Sequence, residues 1–114
     1  MTFFDSDIVR AEMTEISELQ EEIYGSVFKF PSMTKEDKIR HVDLLERLLN
    51  KQRVLYTRMS LSDDPEAQDM KERIAKSAQM MGLPYGVDMN IIFNNMTKML
   101  EVMKEQIDKT GSDR

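Results

Sequence analysis

Residues 34–60 read TKEDKIRHVDLLERLLNKQRVLYTRMS and carry two neighbouring rows of mainly apolar side chains. The steps of three and four between these side chains are typical of an α-helix, which we predict from about residue 35 to residue 60. The first row consists of Ile39, Val42, Leu45, Leu49, Gln52, Tyr56 and Met59. The second row consists of Leu44, Leu48 and Leu55. Two rows form a wider apolar surface than one neighbouring helix covers, so we expect this helix to be central.

The same periodicity predicts three further helices, at about residues 7–29, 65–81 and 89–109. Each of the four predicted starts follows a residue whose side chain can cap the first turn: Ser6, Thr34, Asp64 and Asp88. Pro31 is expected to end the first helix because it drives Phe30 from helical angles, and Gly82 is expected to end the third. Four helices joined by short loops predict an all-α fold, a four-helix antiparallel bundle-like domain.

The length of 114 residues fits one domain. We expect a single helical domain over residues 1–114, with flexible ends at residues 1–5 and 110–114. The opening residues lack the basic and apolar stretches of a secretory signal, and no run approaches the ~18 apolar residues of a membrane span. Together with the lack of cysteine, these features favour the cytoplasm and argue against a membrane partner.

Charge is distributed unevenly along the chain. Residues 5–29 contain seven acids and two bases, whereas residues 35–58 contain seven bases and four acids. An acidic first helix beside a basic second helix favours an antiparallel hairpin, although each exposed ion pair contributes only ~0.2–1 kcal/mol.

The basic residues of helix two could alternatively bind nucleic acid. They do not share one narrow face, Tyr56 is the one aromatic residue among them that could stack on a base, and the net charge is −5. We regard nucleic acid as the weaker alternative. The residues concerned are Arg40, Arg47, Lys51, Arg53 and Arg58.

Few residues could support catalysis or hold a metal. His41 is the only histidine and lies among charged residues, so we expect it at the protein surface and not in an active site. One histidine and no cysteine leave a zinc site almost without ligands, and none of the four glycines builds a phosphate-binding loop. We therefore predict no enzymatic activity, no cofactor and no metal site.

Methionine is frequent, with eleven residues concentrated in the second half of the chain. Most fall at helical spacing, so we expect them in the core; the alternative is an adaptable binding surface. Two apolar regions fit a core stripe less clearly, namely the second row of helix two and the turn after helix three. We predict that these regions contact a partner. The candidate partner-binding residues are Leu44, Leu48, Leu55, Met80, Met81, Leu83 and Tyr85.

Three stretches of the sequence are similar to one known family. They are MTFFDSDIV at residues 1–9, RVLYTRMSLSD at residues 53–63, and the methionine-rich helix after Met81, Gly82 and Leu83. They resemble a family of small helical proteins from cyanobacteria and their phages, known only as a domain of unknown function. The resemblance covers nearly the whole chain, and it is most specific at the opening. It implies a cytoplasmic cyanobacterial setting, or a phage gene acting in such a cell, and it carries over no activity, cofactor or catalytic residue.

With no catalytic set and surplus apolar surface, the sequence favours a non-enzymatic adaptor or regulator that binds a protein partner. That partner would be a host protein if the gene is carried by a phage. The alternative from another class is a self-assembling structural protein, in which the surplus surface is the interface of a homodimer or larger homo-oligomer. A nucleic-acid-binding regulator acting through helix two is the further alternative.

Overall fold

The computed structural model describes residues 2–80, 82–84, 86 and 88–111. Strands are absent from these residues, and the predicted all-α fold is confirmed. Two short 3₁₀ helices accompany the four α-helices, at Phe3–Asp5 and Val27–Ser32. The α-helices are α1 (Asp7–Ser26), α2 (Lys35–Leu61), α3 (Pro65–Met80) and α4 (Met89–Gly111).

The first helix ends earlier than the sequence predicted. The α-helical part stops at Ser26, whose backbone angles (φ −122°, ψ −3°) lie outside the helical region. The chain then continues as the 3₁₀ helix Val27–Ser32, which takes in both Phe30 and Pro31. The prediction of one continuous helix to residue 29 was wrong, because the α-helix breaks before the proline is reached.

Side-chain caps are found at three of the four predicted helix starts. In each case the acceptor receives a hydrogen bond from an amide two or three residues further on. The acceptors are Thr34 Oγ1 (3.2 Å), Asp64 Oδ1 (3.0 Å) and Asp88 Oδ1 (2.9 Å). Ser6 precedes α1, but its side chain makes no cap hydrogen bond. Gly82, with φ +98°, adopts the left-handed conformation expected after α3.

The central position of α2 is confirmed, since α1 and α4 pack along it and α3 packs on it as well. Ion pairs define the direction of α1. Glu15 pairs with Lys51, and Glu12 Oε1 lies 2.5 Å from Arg58 Nε. The earlier residue of α1 therefore meets the later residue of α2, and the antiparallel hairpin predicted from the charges is confirmed.

Ion pairs also align α4 with α2. Lys104 Nζ lies 2.7 Å from Asp43 Oδ1, and Lys35 Nζ lies 3.2 Å from Asp108 Oδ1. Early residues of α2 thus meet late residues of α4, so these two helices are antiparallel. It follows that α1 and α4 run in the same direction.

The first residues dock on the start of α3. The Phe3 amide donates a hydrogen bond to Asp64 Oδ2, while the other oxygen of this carboxylate caps α3. The flexibility predicted for residues 1–5 stays a prediction, but the structure gives Phe3–Asp5 a defined place. At the other end of the chain, α4 extends to Gly111, two residues beyond the predicted boundary.

The buried core is small, and most of its side chains come from α1 and α2. Its apolar members in the described chain are Val9, Leu19, Ile23, Val42, Leu49, Met59, Ala67 and Phe93. α1 and α2 provide six of these side chains, whereas α3 and α4 provide one each.

His41 is buried and only 5% exposed, so the expectation that it lies at the surface was wrong. Its Nδ1 is 3.2 Å from the hydroxyl of Ser26, and its ring centroid is 5.4 Å from that of Phe30. Both neighbours belong to the stretch where α1 passes into the 3₁₀ helix. The chain folds back over His41 there, which the local charge pattern around His41 could not reveal.

The molecule is flat and elongated, with principal extents of 55 × 32 × 20 Å and a radius of gyration of 16.5 Å. A compact domain of this length has a radius of gyration of about 13 Å. A compact monomer of 13.4 kDa exposes about 6,500 Å², whereas this chain exposes 8274 Å². The fold therefore leaves uncovered about 1,800 Å² more surface than a compact domain of its mass.

Candidate functional site: an apolar groove on α2

A groove of about 520 Å³ lies on α2, between α1 and α4. Its floor comes from the last three turns of α2. Gln52, Leu55, Tyr56 and Met59 form this floor. Met59 is buried, and the other three side chains are half-buried. The floor therefore follows the middle line of the wide apolar surface that the sequence predicted on this helix.

The two walls are largely apolar and carry no charge. α1 supplies Met13, Ile16 and Gln20, and α4 supplies Met89, Phe93 and Met96. Phe4, Met70 and Ile74 complete the lining from the first 3₁₀ helix and from α3. Four α-helices and the N-terminal segment thus converge on one surface that bears no Asp, Glu, Lys or Arg.

An aromatic pair stands in the groove. The rings of Tyr56 and Phe93 meet edge to face, with their centroids 6.0 Å apart. Burial and, after it, the negative charge of Asp88 raise the pKa of Tyr56 above its ordinary value of 10.0. The hydroxyl therefore stays protonated at neutral pH, and the groove stays uncharged.

Methionine contributes five side chains to the lining. Met59 is the one fully buried methionine in the described chain, while Met13 is 41% and Met96 46% exposed. The expectation that most methionines belong to the core was wrong. α1 and α4 flank α2 without closing over it, so methionines at core spacing remain open to solvent.

The second row of helix two is divided between two environments. Leu55 lines the groove, whereas Leu44 and Leu48 are half-buried outside its lining. Both lie in helical register with Lys51 and Arg58, which pair with acids of α1. α1 therefore covers this side of α2 in part. Partner contact at these three leucines stays a prediction.

The turn after α3 forms a separate exposed region of the surface. Met80 and Leu83 are both exposed, and neither lines the groove. Met81 and Tyr85 lie outside the described residues, so nothing is added to the prediction made for them.

Sequence reasoning did not single out the walls of the groove. None of Met13, Ile16, Met89, Phe93 and Met96 was predicted as a site residue from the sequence. A signal was present, because an apolar surface two rows wide on α2 leaves a free strip between two flanking helices. Locating that strip required the positions of both neighbours.

The described residues contain no group of three or more His, Asp or Glu side chains arranged to hold a metal ion. None of the described helices combines the length and the apolar character that crossing a membrane requires.

The fold and the groove define a small all-α protein with an open apolar surface. Residues 1–107 match the family described as Domain of unknown function (DUF1825), and the chain belongs to this family. The match confirms the resemblance to a small family of unknown function, and it spans every segment that lines the groove. No curated protein and no solved structure matches the chain.

Proposed function

We propose that this protein is a non-enzymatic adaptor or regulator that binds another protein, and that its groove holds an amphipathic helix of that partner. The supporting observation is the uncharged groove of about 520 Å³ between α1 and α4. Large apolar patches on a small protein mark interaction sites. Docking the apolar face of a helix into such a groove is a common mode of recognition.

The lining sets the chemistry of the partner. Placing a charged side chain in a groove without a counter-charge is costly, so the contacting face of the partner is apolar. Methionine side chains are flexible and polarisable, and they adapt to apolar surfaces of different shapes. We therefore expect recognition of an apolar stripe on a helix, with little dependence on one exact sequence.

The structure offers less support for the nucleic-acid alternative. Three of the five basic residues named for it pair with acids of the same chain. Lys51 and Arg58 pair with α1, and Arg40 Nη1 lies 3.2 Å from Asp37 Oδ1. Binding phosphates with these side chains would require breaking the ion pairs first.

The setting that we propose is the cytoplasm of a cyanobacterial cell. Support comes from the opening MTFFDSDIV, which resembles a family found in cyanobacteria and their phages. Where the gene is carried by a phage, the partner would be a protein of the infected host.

Affinity purification from a cyanobacterial lysate, with two matched variants, tests the groove. Met13→Lys places a charge in the groove, whereas Ile8→Lys places the same charge on α1 outside the lining. Both positions are exposed, so both variants should keep wild-type helicity by circular dichroism. We expect one captured protein to be retained by the wild type and Ile8→Lys, and reduced about tenfold with Met13→Lys.

Two results would contradict the proposal. One is a wild-type purification that enriches only the bait. The other is a captured protein that Met13→Lys retains as well as Ile8→Lys does. Titration with a peptide from the captured protein then checks for the negative heat-capacity change that accompanies burial of apolar surface.

A further inference from the structure

The outer face of α4 carries a second exposed and uncharged surface, next to the groove wall to which Met96 belongs. Met99 is 66% exposed and Val102 is 50% exposed. Asn95 and Gln106, also exposed, extend the same line at steps of four, three and four residues. This spacing is the heptad pattern of a helix that packs lengthwise against another helix. We call these four residues the α4 seam.

The seam is uncharged, and its two flanks differ. Met96 and Met103 follow it on one side, whereas Lys98 and Glu105 follow it on the other. Lys98 and Glu105 are exposed, and neither forms an ion pair with another described residue. One flank therefore offers apolar contacts, and the other offers one charge of each sign at a spacing of seven residues.

We infer that the α4 seam packs against the α4 seam of a second copy of this chain, antiparallel and around a two-fold axis. In the register that we propose, the axis passes between Met99 and Val102, so Met99 lies against Val102 of the second copy. Asn95 lies against Gln106 of the second copy, where their amides can exchange hydrogen bonds. The two-fold axis repeats each contact, so the Met99–Val102 pair and the Asn95–Gln106 pair each occur twice.

Charge complementarity favours a second copy as the occupant. An isologous interface brings one surface against itself, so a surface with one dominant sign of charge repels its own copy. α1 has that character, because residues 5–29 carry seven acids and two bases. The neutral seam does not, and the antiparallel register places Lys98 beside Glu105 of the second copy on both sides of the axis.

Surface area supports the same occupant. The chain exposes about 1,800 Å² beyond a compact monomer of its mass. A standard interface takes about 800 Å² from each partner. The excess of the whole chain is therefore larger than the surface that one partner gives to a standard interface, and the inference does not depend on a helix being bound in the groove.

Molecular mass in solution tests the dimer. Sedimentation equilibrium of the wild type should give twice 13.4 kDa at micromolar concentrations. Val102→Lys should raise the dimer dissociation constant by about tenfold or more, because it places two lysines beside the axis. Ile8→Lys is the matched control, since Ile8 is 59% exposed on α1, and it should remain dimeric.

Charge reversal tests the antiparallel register. Lys98→Glu and Glu105→Lys should each weaken the dimer by about fivefold, and the double variant should restore wild-type affinity. A parallel register would place Lys98 beside Met103 of the second copy, so the double variant would restore nothing there. Both side chains are exposed, so these variants keep the test independent of folding.

Three results overturn the inference. The first is a wild-type monomer at every micromolar concentration. The second is a Val102→Lys dimer as tight as the wild type. The third is a double charge reversal that is no tighter than either single reversal. None of these results depends on Met13, so failure of the dimer is distinguishable from failure of the groove.

Discussion

α1 and α4, the two long neighbours of α2, contribute differently to the core. α1 has 20 residues and buries three apolar side chains, Val9, Leu19 and Ile23. α4 has 23 residues and buries one described side chain, Phe93. Ion pairs align both helices with α2. Full burial of a large apolar side chain contributes ~1.5–3 kcal/mol, whereas an exposed ion pair contributes ~0–1 kcal/mol.

The molecule therefore has one part, α1 with α2, that supplies most of the core, and another part, α4, whose apolar surface is only partly covered. α1 and α2 supply six of the eight apolar core side chains in the described chain. α4 packs along α2 and also forms ion pairs with it, but several of its apolar side chains remain exposed and are available to other molecules. Four changes would break or sharpen this contrast.

The same substitution on either side of α2 should have the largest effect and the clearest difference. Ile23→Ala removes a buried side chain of α1 and should lower the free energy of unfolding by ~3 kcal/mol. Ile107→Ala removes a half-buried side chain of α4 and should cost ~1 kcal/mol. Urea denaturation measures both values, and equal losses would show that the two interfaces are equivalent.

Arg58→Met should have the next largest effect. The Glu12 Oε1 atom is buried and accepts no hydrogen bond, and Arg58 Nε at 2.5 Å supplies its counter-charge. Removing that charge should cost ~1–2 kcal/mol in urea denaturation. Arg40→Met, which breaks an exposed pair with Asp37, should stay within ~0.5 kcal/mol. Equal costs for the two variants would mean that the partly buried Glu12–Arg58 pair contributes no more than an exposed pair.

Alkaline pH should weaken the attachment of α4. Hydrogen bonds to Asp43 and then Glu46 raise the pKa of Lys104 above its ordinary value of 10.5. Because the folded state favours the protonated amine, the contribution is complete below pH 10.5 and is lost as pH rises through the higher folded-state pKa. We expect a modest fall in Tm over that pH range, and this fall should be smaller in the Lys104→Met variant. Lys29→Met is the control that should leave the fall unchanged.

Met99→Ala should have the smallest effect on the isolated chain. Met99 is mostly exposed, so the free energy of unfolding at low protein concentration should change by less than ~0.5 kcal/mol. If α4 pairs with a second copy, the wild-type Tm rises with protein concentration, and Met99→Ala reduces that rise. A loss of several kcal/mol at low concentration would place Met99 in a core and remove the contrast between α1 and α4.

Helices, caps and pairing were open to prediction because they depend on nearby residues. The apolar periodicity of each segment indicated its helix, and Thr34, Asp64 and Asp88 marked three starts with side chains that do form caps. The opposite charges of the first two helices indicated their antiparallel pairing, which Lys51 and Arg58 carry out. The two apolar rows indicated the central place of α2.

The candidate site was predicted only in part. Leu55 was named and lines the groove, but the wall residues on α1 and α4 were not identified as a site. A charged segment suggested an exposed His41, and helical spacing suggested buried methionines; both predictions were wrong. Periodicity shows which side chains share a face, but it does not show whether another helix covers that face.

The local sequence was therefore sufficient for four capped helices, a central α2 and an antiparallel α1–α2 hairpin, because hydrogen bonds and charges over a few residues specify them. Tertiary structure alone decided which apolar rows were covered. α1 and α4 lie on opposite sides of α2, so the strip between them stays open as a groove and the outer face of α4 stays exposed. Burial depends on where distant segments come to lie, and no single helix carries that information.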